Sequence, residues 1–324
     1  MTGFRGAWVG LIVALCACGK SFDASEGAGG TSGAPSGGAG AAGVSGRAGA
    51  GGSGGSSAGS GAASGSGGLL NVAGLGGIGG LPPIGGNGGM GGVTNSSPVP
   101  TLGLSLWLRA DQGVTQKNNL VQEWLDQSGQ HMDAIQSAAN VQPTFKNDGL
   151  NGKPALDFDG MADFMKLPAG FADFSQGLSM FIVANATDGS CASMLEMSNG
   201  SEVQDISLGL YQAAWQYEVE DDDAAGGVID PMNPRPALIA AIQSASGDVE
   251  LRQNSNLIDQ EQFTAAEVVL RQDNFIGQTL YASCGYFRGQ ISEILVYDRA
   301  VTDKEVLAIE GYLEDRWQIS TAMP

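Results

Sequence analysis

Ile206-Ser207-Leu208-Gly209-Leu210 and the nearby Trp215-Gln216-Tyr217-Glu218-Val219 decide the fold. Side chains on a strand alternate between faces, so Ile206, Leu208 and Leu210 share one side, as do Trp215, Tyr217 and Val219. That alternation suits an antiparallel sheet with one buried and one wet face. Outward from this pair, further short apolar runs are bounded by turn residues: Leu104 to Arg109, Ala155 to Phe158, Leu178 to Ala184, Ala237 to Ile242, Val249 to Arg252 and Gln290 to Tyr297. Evenly spaced short strands of this kind predict a sandwich or barrel. Phe181-Ile182-Val183 reads as buried on both sides. One helix is predicted, starting at Thr302, whose hydroxyl can cap while Glu305 reaches back, with Asp303 favoured by the helix dipole. Val306, Ile309 and Leu313 then share a face, and the helix ends near Arg316-Trp317.

The 324 residues divide sharply in composition. Residues 19–100 hold 31 of the 52 glycines but only Lys20, Asp23, Glu26 and Arg47 as charges. Removing Asp23 and Glu26, and Arg5, Lys20 and Arg47, leaves 32 acids and 12 bases after residue 100, a net of −20. Such a surface repels phosphate backbones and excludes sequence-independent nucleic-acid binding. The glycine spacing is irregular, which excludes a collagen helix. The Gly/Ala/Ser-rich stretch cannot build a core and is expected to be a disordered tether, with a root-mean-square span of ~50 Å for a flexible chain of this length. Leu69, Leu70, Val72, Leu75, Ile78, Leu81, Ile84 and Met90 lie within it, and a solvated linker gives no physical reason for them.

Arg5 precedes the apolar run Val9 to Leu15, which is too short for a bilayer core needing about 20 helical residues and has the pattern of a secretory signal. Leu15-Cys16-Ala17-Cys18 resembles the lipobox of bacterial lipoproteins. The resemblance implies lipidation of Cys18, with residues 1–18 as signal peptide; an ordinary signal cleaved nearby is the alternative. Lipid at Cys18 would anchor the chain durably, each buried methylene contributing ~0.8 kcal/mol. Gly19, in place of a retaining Asp, is compatible with an outer membrane or cell surface.

Four blocks carry a second resemblance: Leu104 to Asp111, Trp124-Leu125-Asp126-Gln127-Ser128-Gly129, Gly152 to Gly160, and Phe287 to Arg299. In this order, with Leu313 to Trp317 closing the chain, residues 101–324 resemble bacterial concanavalin A-like, laminin-G-like domains. The resemblance implies an all-β jelly-roll sandwich with one C-terminal helix. It also implies packing roles for Trp107, Trp124 and Trp317. Members of that superfamily include sugar-binding modules, protein-binding modules, glycosidases and domains without a known ligand, so fold does not select among them.

Cys191 and Cys284 are the cysteines left beyond the signal region, and an oxidising compartment permits one bridge between them. Two buried free thiols are the alternative. Asp126, Ser128 and His131 crowd together, but a triad draws its members from separate segments and no nucleophile elbow surrounds Ser128, so a structural turn is expected. The run Glu218-Val219-Glu220-Asp221-Asp222-Asp223 has three readings. It departs from the acidic strand of the superfamily's glycosidases, having Glu220 where Asp is wanted and Asp222 where Glu is wanted. Glu220, Asp221, Asp222 and Asp223 are candidate oxygen ligands for Ca²⁺. The plainest reading is solvated charge, with the strand ending in a loop at Ala224-Ala225-Gly226-Gly227. Trp215 and Tyr217 are candidates for stacking on sugar, set against filling of the core beside Val219.

These readings converge on a lipid-anchored module at the cell surface that binds a glycan or a surface protein without catalysis. Two other readings stay open: a glycoside hydrolase or lyase of the same fold, and a structural or protein-interaction domain.

Overall fold

A computed structural model describes residues 97–220, 222–229 and 232–320. The signal segment 1–18, Cys18, nearly all of the 19–100 stretch and Asp221 lie outside the described residues. Val99 is already buried, so the packed chain includes residues just ahead of position 101.

The described strands form two antiparallel layers. In the back layer, Arg288–Tyr297 lies centrally and pairs along one side with Leu178–Ala186. Its other side is shared by Leu104–Arg109 and Lys153–Asp159. Beyond Leu178–Ala186 follow Ala237–Gln243, Asp248–Gln253 and Asn256–Gln262. The front layer runs Ala134–Ile135, Met165–Leu167, Asp273–Ile276, Ala192–Ser198, Ile206–Tyr211, Ala214–Val219 and Asp222–Val228. Leu120–Trp124 pairs with Ala134–Ile135 and also with Thr144, and so links the layers at one side. The whole is an antiparallel jelly-roll β-sandwich with one C-terminal helix, the expected fold class.

Alternation places the core as the sequence predicts. Leu195, Met197, Ile206, Leu208, Trp215, Tyr217 and Val219 from the front meet Leu106, Leu108, Met180, Ile182, Ile239 and Ile294 from the back, all in one apolar cluster. Aligned sheets bury their inner faces in this way. Phe181, Ile182 and Val183 are fully buried, because the outer side of the back layer is also covered.

That cover is the helix Asp303–Trp317. Thr302 accepts the Glu305 backbone N–H while the Glu305 carboxylate accepts the Thr302 N–H at 2.8 Å, the expected capping box. Val306, Ile309, Leu313 and Trp317 are its buried residues, together with Glu310, whose carboxylate pairs with Arg252 at 2.9 Å on the back layer. Among the described residues no helix is long and apolar enough to cross a membrane.

One expectation is corrected. The acidic run does not end its strand in a loop: Glu220 turns the chain at φ 56° and Asp222–Val228 returns as a strand, with Glu218 opposite Asp223 and Gln216 opposite Ala225. The glycines that argued against a strand are what the place requires. A Cβ on Gly226 would crowd the Ile258 carbonyl oxygen at 3.1 Å, and Gly227 sits at φ 65°, in the left-handed region that favours glycine, as this front edge passes the neighbouring back strand. The Asp259 carboxylate accepts the Ala225 N–H at 3.0 Å across that gap.

Candidate functional site

Trp215 and Tyr217 point inward and are 1% and 0% exposed. Tyr217 stacks on Phe263 with centroids 5.6 Å apart, and its hydroxyl donates to Gln243 Oε1 at 2.8 Å, reaching from the front layer to the back. Neither ring offers a face to a ligand, so filling of the core, not sugar stacking, is their place. Burial pushes the Tyr217 phenol upward. In the acidic run Asp222 accepts the Thr264 N–H at 2.6 Å, while Asp223 is exposed on the opposite side of the strand. Among the described residues no three His, Cys, Asp or Glu side chains converge to hold a metal ion.

Asp126, Ser128 and His131 form a turn. The Asp126 carboxylate accepts the Trp107 N–H at 2.9 Å, the Ser128 N–H at 2.9 Å, the Ser128 hydroxyl at 2.6 Å and the Met132 N–H at 3.1 Å. His131 is exposed at φ 60° and does not stand between Ser128 and Asp126, as a relay would need.

Cys191 and Cys284 are joined, with Cα atoms 4.8 Å apart. The bridge ties the loop 278–286 to the start of Ala192–Ser198, helped by the Gly285 N–H to the Cys191 carbonyl at 3.0 Å. In the loop-entropy account, closing 93 residues stabilises the fold by about 4.6 kcal/mol.

The helix occupies the outer side of the back layer and seals a buried carboxylate there. Glu293 is fully buried and accepts from Trp107 Nε1 and Trp317 Nε1, each at 2.6 Å, and from the Tyr312 hydroxyl at 3.0 Å. Burial pushes Glu293 upward, against these donors. All three expected packing tryptophans are buried: Trp107, Trp124 and Trp317.

The outer side of the front layer is the sheet face without such a helix. One row across it reads Ile135, Lys166, Phe275, Glu196, Ser207, Glu218 and Asp223, each opposite the next. At its centre Glu196 lies beneath the disulfide-tied loop and is 3% exposed. Its carboxylate accepts the Leu280 N–H at 3.0 Å and the Ser193 hydroxyl at 3.3 Å, and burial pushes it upward. Beside it, toward Ile135, aromatic rings gather. Phe164 meets Phe275 edge to face at 5.8 Å and Tyr286 at 6.4 Å. The Lys166 ammonium sits 5.4 Å from the Phe275 ring centre and 3.6 Å from an Asp273 carboxylate oxygen. Phe164 and Tyr286 are half-buried, and Lys166 and Ile135 are exposed. Apolar ring surface next to a half-solvated donor and acceptor can hold a molecule that is apolar on one side and hydroxylated on its rim. Sequence reading singled out none of Phe164, Lys166, Glu196, Asp273, Phe275 and Tyr286 as site residues.

No protein-family model matches the chain, and no curated protein matches it. Solved structures similar to it include the sialidase of Trypanosoma rangeli, at 14% identity and a TM-score of 0.48, covering 67% of this chain and 34% of that one. Domain 4 of a GH43 extracellular arabinanase from Geobacillus stearothermophilus, in complex with arabinotriose, matches at 16% identity and a TM-score of 0.47, covering 63% and 96%. The binding domain of Paraclostridial Mosquitocidal Protein 1 matches at 13% identity and a TM-score of 0.47, covering 64% and 52%. The match thus spans about a third of the sialidase's length.

Proposed function

We propose that the folded domain is a carbohydrate-binding module that holds its ligand on the outer front face without cleaving it, displayed at the cell envelope by lipid on Cys18. The observation that carries this reading is the cluster of Phe164, Phe275 and Tyr286 beside the Lys166–Asp273 pair, on the one sheet face that no helix covers. The anchor rests on the Leu15 to Cys18 motif, and is tested by the acyl mass on Cys18 and its loss in Cys18→Ala. Affinity electrophoresis of the full chain in polysaccharide gels tests the binding. Retardation by at least one polysaccharide, lost in Phe164→Ala and Tyr286→Ala, is expected; no retardation, or equal retardation of the variants, overturns the reading.

A hydrolase reading draws on Glu196, a central carboxylate whose affinity for its proton is raised by burial, as a general acid requires. Its oxygens are engaged by the Leu280 N–H and the Ser193 hydroxyl, which favours binding over catalysis. Release of new reducing ends from a retained polysaccharide would reverse that choice.

A further inference from the structure

We propose that this face selects uncharged glycans and rejects acidic ones; the inference rests on the binding reading above and adds the ligand's charge class. The part of the chain after residue 100 carries 32 acids against 12 bases, and its repulsion of a polyanion reaches about 8–10 Å into physiological saline. A uronate or sulfated glycan would need a local cation to overcome that field. The cation in the aromatic cluster is Lys166, and Asp273 already neutralises it at 3.6 Å. An anionic group drawing on Lys166 would face the Asp273 carboxylate at close range. Further along the same row the exposed outward side chain of Asp223 adds negative charge where a chain leaving the cluster would run.

A neutral sugar meets no such conflict. The Lys166 and Asp273 side chains are 52% and 39% exposed and their contact is longer than a hydrogen bond, so each keeps capacity for a partner. A ring with adjacent hydroxyls gives Asp273 a donor and Lys166 an acceptor at once, while its C–H face lies on Phe164 and Tyr286. Binding of this kind displaces no counterions, so salt leaves it unchanged.

The test measures full-chain affinity for neutral polymers (laminarin, linear arabinan, galactan), acidic polymers (polygalacturonate, chondroitin sulfate) and a cationic one (chitosan). The expected result is at least about tenfold tighter binding to one neutral polymer than to either acidic one, changing less than about twofold between low and high salt. Asp273→Asn is expected to weaken neutral binding by about fivefold, the loss of one charge-assisted hydrogen bond. Acidic polymers bound as tightly as neutral ones, or chitosan bound tightest with steep salt dependence, would overturn the charge class while leaving glycan binding intact. Binding to none of the six polymers would overturn both.

Discussion

Replacing Asp163 by Asn is expected to stabilise the protein at neutral pH and to lose most of that advantage by pH 4. Asp163 closes the turn that delivers Phe164 to the front face. Asp159 Oδ1 accepts the N–H groups of Met161, Ala162 and Asp163 at 2.8, 3.0 and 3.2 Å, and Asp163 Oδ2 accepts the Asp159 N–H at 3.1 Å. Burial, then the charge of Asp159, push the Asp163 carboxyl from 3.8 up to about 6. An acid raised on folding costs nothing below 3.8; its cost grows between 3.8 and about 6 and is constant above. A two-unit displacement corresponds to about 3 kcal/mol, and solvent screening beside the exposed Met161 reduces it to about 1–2 kcal/mol. Asn retains an oxygen for the Asp159 N–H and carries no charge, so the variant escapes this cost. For a domain of this size the gain is about 2–8 °C in Tm. Thermal melts of both proteins from pH 4 to 8 at fixed ionic strength measure it. An offset independent of pH, or a variant less stable at pH 7.5, would refute the reasoning.

Other side chains give separate outcomes. Tyr217→Phe loses the bond to Gln243 and is expected to cost about 1–2 kcal/mol in urea melts, while polysaccharide retardation stays unchanged. Glu293→Ala strands the ring N–H groups of Trp107 and Trp317 and is expected to cost about 3–5 kcal/mol, visible as a lower denaturation midpoint. The Cys191→Ala, Cys284→Ala double variant is expected to lose about 2–5 kcal/mol, the loop-entropy figure lying at the upper end, and to become sensitive to protease within 278–286. Arg299 holds Glu305 at about 2, so its stabilisation is present above 4.5 and fades as pH falls from there toward 2. Glu305→Gln is therefore expected to lower Tm at pH 7, with a gap that narrows through that window.

The layers were legible where the physics was local. Ile206, Leu208 and Leu210 announced their face by alternation, and Thr302 with Glu305 announced the helix start because a capping box is complete within four residues. The Asp222–Val228 strand was hidden since its glycines reflect a neighbour, Ile258, that is distant in sequence. The candidate site was hidden for the same reason. Phe164 stands more than a hundred residues before Phe275 and Tyr286, and Asp273–Ile276 is too short to display a period. Glu196 did leave a signal, as an acid inside the apolar Met194-Leu195-Glu196-Met197, where burial of a carboxylate demands dedicated donors. Trp215 and Tyr217 drew attention by residue type, while their shared period with Val219 offered the core as the alternative that their burial bears out.

Hydrogen–deuterium exchange of the full chain with and without an oligosaccharide of the polymer it retains tests the central claim most directly. Protection within 162–167 and 273–286, with the helix 303–317 unchanged, is the predicted footprint. Protection confined to the helix and the outer back layer, or a footprint unaltered in Phe164→Ala, would contradict it.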